Sequence, residues 1–362
     1  MKLRPLSLAL QGGGSHGAFT WGVLERLLED ERVRFEAISG ASAGAMNAVV
    51  MAHGMTRNGR EGAREGLNAF WEAVASNARF GSAPEDLDSA ANEGAPQGGA
   101  AAGVESLLSM MRHFSPRQFN PFDVNPLRDI LREQVDFERV RNESDLELYI
   151  ATTRVSTGRL RLFRTPELTL EVLLASACVP GLHHAVDIDG EAYWDGGLTA
   201  NPPIYPLVHD ADARDLLMVL LQPSQRAHPP TSAPDIRRRL SEISFSTAFF
   251  TELQGLALAK REAGASTFSF GRLQSAIQNL RMHVIDSPEF MGRLSATSKL
   301  NAHPEFLHAL RDEGRKRAEL WLGEQFPQVG VRSTFDLDGF LGHRETPSRP
   351  QMHPRPIAAA AS

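Results

Sequence analysis

Two short segments carry residue types and spacings that could run acyl-transfer chemistry. Gly12-Gly13-Gly14-Ser15-His16-Gly17 is a Gly-rich turn, and Gly40-Ala41-Ser42-Ala43-Gly44 follows it with the pattern G-x-S-x-G. A serine becomes a useful nucleophile when a sharp strand-to-helix turn pushes its hydroxyl outward. Gly40 and Gly44 flank such a turn here, and Ala41 and Ala43 leave room for its strained backbone. In the first segment, glycines let backbone N–H groups at a helix start approach an anion closely, whether a phosphate or a tetrahedral oxyanion. Taken alone, the second segment also reads as a Gly/Ala-rich helix start with Ser42 as N-cap.

The Gly-rich turn also matches the dinucleotide pattern G-x-G-x-x-G. That pattern needs an acidic residue about 20 positions on, at the end of the next strand, to hold a ribose. The strand end reads Ile38-Ser39-Gly40, and the nearby acid, Glu36, falls near the strand's start. No Gly-Lys-Ser/Thr follows, so the turn is not a P-loop either. An oxyanion is the better fit.

The serine needs a base. Histidines after residue 195 do not fall in a strand-end Gly-rich turn, and His183-His184 precedes a predicted hairpin with nothing to fix it near Ser42. Asp195 ends a predicted strand and is followed by Gly196-Gly197, a turn able to hold a carboxylate against another strand end. A partly desolvated carboxylate aimed at a serine can take its proton. Asp-Gly is also a common plain turn.

The elements needed to position these groups are legible in the periodicities. Leu6–Leu10 reads as a strand, Phe19, Val23, Leu24, Leu27 and Leu28 as a helix face, and Phe35–Ser39 as a second strand, with the nearly all-apolar Ala45–Met51 as a buried helix after the serine. This alternation implies a parallel sheet with right-handed crossovers. Further on, Glu147–Ala151 and Arg159–Arg164 read as strands, Pro126–Gln134 and Leu168–Cys178 as helices, and Leu216–Leu221 as a central strand. Asp189-Gly190 between Ala185–Ile188 and Glu191–Trp194 marks a hairpin. Phe245, Phe249, Leu253 and Leu256 line one face of a long helix, read as core-facing rather than membrane-contacting, and Glu305–Leu322 forms another. Ser106–Phe114 also has helical spacing. Residues 81–103 read as a mobile loop or lid, and 336–362 as a disordered tail.

The 362 residues suffice for one large domain or two smaller ones. A formal net charge of −6 gives no support to a nucleic-acid partner, which usually needs a basic stripe. Cys178 is the single cysteine, which rules out an intrachain disulfide; it sits among small apolar residues and reads as buried. The apolar run at Leu6–Leu10 is shorter than a signal core, and no stretch nears the ~20 apolar residues of a membrane span. The expectation is a cytoplasmic protein.

The blocks Gly12–Gly17, Gly40–Gly44, Ala175-Ser176-Ala177 with Pro180, and Asp195-Gly196-Gly197 with Asn201-Pro202-Pro203, in that order, resemble those of the patatin-like phospholipases. The resemblance spans roughly residues 6–203. It implies a three-layer α/β/α sandwich with a mostly parallel central sheet, here over residues 1–335. It also implies acyl-ester hydrolysis by a Ser–Asp dyad, without metal or other cofactor. Ser42 would be the nucleophile, Asp195 its base, and the backbone at Gly12, Gly13, Gly14 and Ala43 the oxyanion hole. His16 stands where the family often has Arg or Lys, so its charge near neutral pH is in question. The implied substrate is a lipid ester, met in transient contact with a lipid surface. Hydroxyalkanoate polyesters, thioesters, acyl transfer and a non-catalytic binding role are the alternatives. Phe114, Phe119, Phe122, Met110 and Met111 are the expected apolar approach to the site.

Overall fold

The computed structural model describes residues 3–78, 115–223, 229–265, 271–294 and 297–341. Its strands are β1 (Arg4–Leu10), β2 (Val33–Gly40), β3 (Glu147–Arg154), β4 (Arg159–Arg164), β5 (Val186–Ile188), β6 (Glu191–Asp195), β7 (Asp215–Val219) and β8 (Arg281–Ile285). They form one sheet in the order β5-β6-β3-β2-β1-β7-β8, with β4 also paired to β3. The β3-β2-β1-β7-β8 run is parallel, and β4, β5 and β6 join antiparallel.

Side-chain alternation along each strand divides the core into two layers. Leu6, Leu8 and Leu10 of β1 and Leu217 and Val219 of β7 enter one cluster, with α1 (Gly17–Leu28), α2 (Ala43–Ala78, broken at Asn58-Gly59) and the Pro304–Glu324 helix. Ala9, Leu216 and Met218 enter the other, with Phe249 and Leu253 of the Ala233–Ala265 helix. Strands buried on both faces read as continuous apolar runs, which is why β7 was visible in the sequence. The result is the expected sheet between two helical layers.

The hairpin turn at Asp189-Gly190 has φ of 54° and 81°, the paired positive values that a two-residue turn needs. The helix expected at Leu168–Cys178 shortens to Leu170–Ser176, because Thr169 caps it by accepting from Val172 N–H. Residues 336–341, expected as the start of a disordered tail, instead carry a short helix, Leu337–Phe340, whose Phe340 stacks on Phe250. Ser106–Phe114, the loop at 81–103 and the rest of the tail lie outside the described residues.

One detail of pairing positions the site. Residues 147–150 of β3 pair with β2 as far as Gly40↔Ile150. β4 occupies the opposite edge of β3, from Tyr149 to Arg154. β6 pairs with β3 only at residues 152–154, with Asp195 opposite Thr152. Since β4 fills one edge there, β6 must continue the edge that β2 leaves. Ser42 and Asp195 therefore sit equally far past Gly40↔Ile150, one on the turn leaving β2 and one on the strand that replaces it.

Candidate active site

The Ser42 turn is backbone-determined. Ser42 has φ 51°, a left-handed value rare for serine, and α2 begins at Ala43. The turn survives because its neighbours are small. A Cβ on Gly44 would stand 2.1 Å from the Leu10 carbonyl, and one on Gly12 2.8 Å from Ser42 Cβ. The Gly-rich turn and the serine turn thus lie against each other. Ser176, at the end of the Leu170–Ser176 helix, accepts a hydrogen bond from Ser42 N–H at 3.0 Å.

Asp195 is fully buried, and three segments fix it. Its N–H donates to the Cys178 carbonyl at 2.8 Å, its carbonyl accepts from Thr153 Oγ1 at 2.8 Å, and its Oδ1 accepts from Gly197 N–H at 2.7 Å. The Ser42 hydroxyl also acts on this carboxylate and favours its anion. Burial pushes the Asp195 carboxyl up to about 7, against the hydrogen bond from Gly197, the Ser42 hydroxyl and the charge of Lys299, which favour the anion. At neutral pH this group sits at the balance between accepting and releasing a proton.

Asn201 ties the two halves together. It is buried, its Oδ1 accepts from Gly12 N–H at 2.6 Å, and its Nδ2 donates to the Gly12 carbonyl at 3.3 Å. Gly12 is therefore not a spare oxyanion donor, as the sequence had it; its N–H is used to hold the turn. Gly13, Gly14 and Ala43 border the cavity beside Ser42. His16 is buried, its Nε2 2.8 Å from Ser298 Oγ. Burial, helped by the Lys299 charge, holds its imidazole down to about 3, so it is neutral.

Ser42 and Asp195 open into a cavity of about 400 Å³. Met46, Phe70, Trp71 and Val74 of α2, with Leu127 and Phe245, make its apolar wall. Of the expected approach, Phe122 is exposed and not among the residues of this wall, while Met110, Met111, Phe114 and the side chain of Phe119 lie outside the described residues. Phe245 lines the cavity, while Phe249 and Leu253 of the same stripe are buried in the core. His183 also lines it, an approach the sequence left open, and burial lowers its imidazole pKa. Cys178 is inert as a thiol, pushed up to about 12 chiefly by burial; its carbonyl does the useful work of holding Asp195.

Residues 8–208 match the family model described as patatin-like phospholipase, more than half of the chain. The chain belongs to the patatin-like phospholipase family. A curated relative, the cGAMP-activated phospholipase of Vibrio cholerae, is 23% identical over 227 residues, covering 56% of this chain and 56% of the relative. The chain thus spans about half the length of the curated relative it matches. Among solved structures, VipD from Legionella pneumophila is similar at 16% identity and a TM-score of 0.35, covering 87% of this chain and 67% of that one. Within the family's matched region lie Ser42, Asp195 and both turns. Ser176 and Asn201 are the residues whose roles were missed. Both stood in the blocks that carried the resemblance, but their work is to hold backbone across more than a hundred positions, which local spacing does not encode.

Proposed function

We propose that this patatin-like protein is a serine acyl hydrolase that cleaves lipid carboxylic esters through a Ser42–Asp195 dyad. The observation that carries the reading is the Ser42 hydroxyl, on a φ 51° turn, lining one apolar-walled cavity with the buried Asp195 carboxylate on which it acts. Ser42 Oγ attacks the ester carbonyl carbon, and its proton passes to Asp195. The tetrahedral oxyanion accepts from the N–H groups of Gly13, Gly14 and Ala43, each such donor being worth about 10²–10³ in rate. On collapse, the alcohol leaves with the proton from Asp195, and the acyl group stays on Ser42. Water then gives its proton to Asp195 and attacks the acyl-enzyme. The fatty acid departs, and the proton returns to Ser42. No histidine enters this cycle. Transient contact with a lipid surface goes with the reading, since the apolar wall suits an acyl chain drawn from one.

The test is covalent labelling with a fluorophosphonate probe, alongside hydrolysis of an acyl ester. The wild type is expected to label once, at Ser42, and Ser42→Ala to lose both labelling and turnover, by on the order of 10⁴-fold or more. A folded wild type that neither labels nor hydrolyses overturns the proposal.

A further inference from the structure

One polar residue interrupts the apolar run Ala45–Met51, and nothing in the dyad uses it. Asn47 lies in the second turn of α2, is fully buried, and does not border the cavity. Its amide is shared by three segments. Nδ2 donates to the Gly17 carbonyl and to the Ala43 carbonyl, both at 3.0 Å, and Oδ1 accepts from Trp71 Nε1 at 3.0 Å. Two carbonyls match its two N–H groups and an N–H matches its oxygen, so the amide has one orientation. An apolar side chain could fill the same place in the core, but it would leave the Trp71 N–H without this acceptor. Each partner belongs to a different part of the site. Ala43 follows the nucleophile and borders the cavity with Gly13 and Gly14. Gly17 ends the Gly-rich turn, and its N–H donates back to the Gly14 carbonyl. Trp71, from the second half of α2, is part of the cavity wall. The three meet closely: a Cβ on Gly17 would lie 2.5 Å from Ala43 Cβ and 3.1 Å from the Trp71 ring. The indole also stacks on Trp21 of α1, with 6.4 Å between ring centroids and 9° between planes.

We infer that Asn47 is a positioning residue for the acyl transfer: its amide fixes the Gly-rich turn, the backbone at Ala43 and the Trp71 wall as one unit, so that the oxyanion donors keep their spacing. The inference rests on the Ser42–Asp195 reading and deepens it. Gly13 and Gly14 reach the site on one strand-to-helix turn and Ala43 on another. An oxyanion meets both sets of N–H groups only while the two helix starts hold one separation, and Asn47 spans that separation from Gly17 to Ala43. A misplacement of about 1 Å at a reacting centre costs on the order of 10²-fold in rate. Trp71 then bears on the reaction in two ways. It offers its ring to an acyl chain, and its N–H keeps the Asn47 amide from turning.

The experiment is a double-mutant cycle between Asn47→Ala and Trp71→Phe, read by kcat and KM on p-nitrophenyl acetate and by the rate of fluorophosphonate labelling, with thermal melting as the check on folding. The acetyl ester has no chain to lay on the wall, so it reports the turns alone. Asn47→Ala is expected to lower kcat and the labelling rate about 10- to 100-fold, with KM within about threefold of wild type. Trp71→Phe keeps an aromatic ring and removes only the bond to Asn47 Oδ1; kcat on the acetyl ester should fall about three- to tenfold, and this loss should vanish in the Asn47→Ala background. A folded Asn47→Ala protein with a lowered melting temperature but wild-type kcat and labelling overturns the inference, and so does a Trp71→Phe loss that persists in full without Asn47. If Asn47→Ala does not fold, Trp71→Phe decides alone, and a wild-type kcat on the acetyl ester overturns it. A folded wild type that neither labels nor hydrolyses overturns the dyad instead.

Discussion

At the scale of single residues, the proposed mechanism asks Asp195 to do two opposed things. As the proposed base it must be ionised; as a buried group it is favoured protonated, up to about 7 against an ordinary value of 3.8. The folded carboxyl therefore has the higher pKa. Its contribution to stability is fully present below about 4 and is lost by the time pH has risen through about 7. Activity runs the other way, rising as pH passes 7 and the base ionises. The pH profile of kcat/KM on a soluble ester should show an acid limb near 7. Asp195→Asn should lose turnover yet melt several degrees above wild type at pH 8, with the gap closing toward pH 4. Melting curves that coincide at pH 8 would remove the conflict. Ser42 and Asp195 were legible because each sits in a short Gly-rich signature with a predicted strand before it. The burial that sets the Asp195 proton affinity was not, since it comes from the Cys178, Thr153 and Gly197 contacts converging from separate segments.

At the scale of elements, the site is a consequence of β6 taking over the β3 edge where β2 stops. The sequence showed the strands on either side of that handover, and the hairpin that delivers β6, because each has its own local pattern. Which edge β6 joins is a pairing choice made across more than forty residues, and no periodicity records it. The same holds for the contact between the Leu170–Ser176 helix and the serine turn. Ser42 N–H meets Ser176 Oγ at 3.0 Å, and Ser176 is fully buried. Ser176→Ala leaves that N–H without its acceptor, at a cost of about 1–3 kcal/mol. The strained φ of Ser42 is then less well held. Both kcat and the rate of probe labelling are expected to fall about tenfold with KM little changed, and Ser176→Thr should recover part of the loss. A Ser176→Ala protein that labels at the wild-type rate would show that the turn holds itself.

At the scale of the whole molecule, the end of the sheet opposite Ser42 is closed by charge. Asp215 opens β7, while the site lies past the other end, where β1 and β7 pair at Leu10↔Val219. Arg281 and His283 of β8 point at it: Arg281 donates to both carboxylate oxygens at 2.8–3.1 Å, His283 Nε2 lies 3.1 Å from Oδ1, and Gly330 N–H donates at 2.8 Å. This explains why β8 went unread. Its Arg281 and His283 are polar residues in a strand, and partners in other segments, Asp215 for both and Thr334 Oγ1 for His283 Nδ1, make burying them tolerable. Burial alone would raise the Asp215 carboxyl; the His283 and Arg281 hydrogen bonds outweigh it and hold it down to about 2. Its folded pKa lies below the ordinary 3.8, so its stabilisation is present above about 4 and is lost as pH falls through about 2. Asp215→Asn leaves Arg281 half-buried without its counter-charge, and should cost about 3 kcal/mol at pH 7. Urea unfolding at pH 7, 4 and 3 reads both effects, with wild type losing stability more steeply on acidification than the variant. Because the cluster is remote from Ser42, probe labelling of the folded variant at pH 7 should match wild type. Parallel acid limbs for the two proteins would mean that some other carboxylate sets the acid stability of this fold.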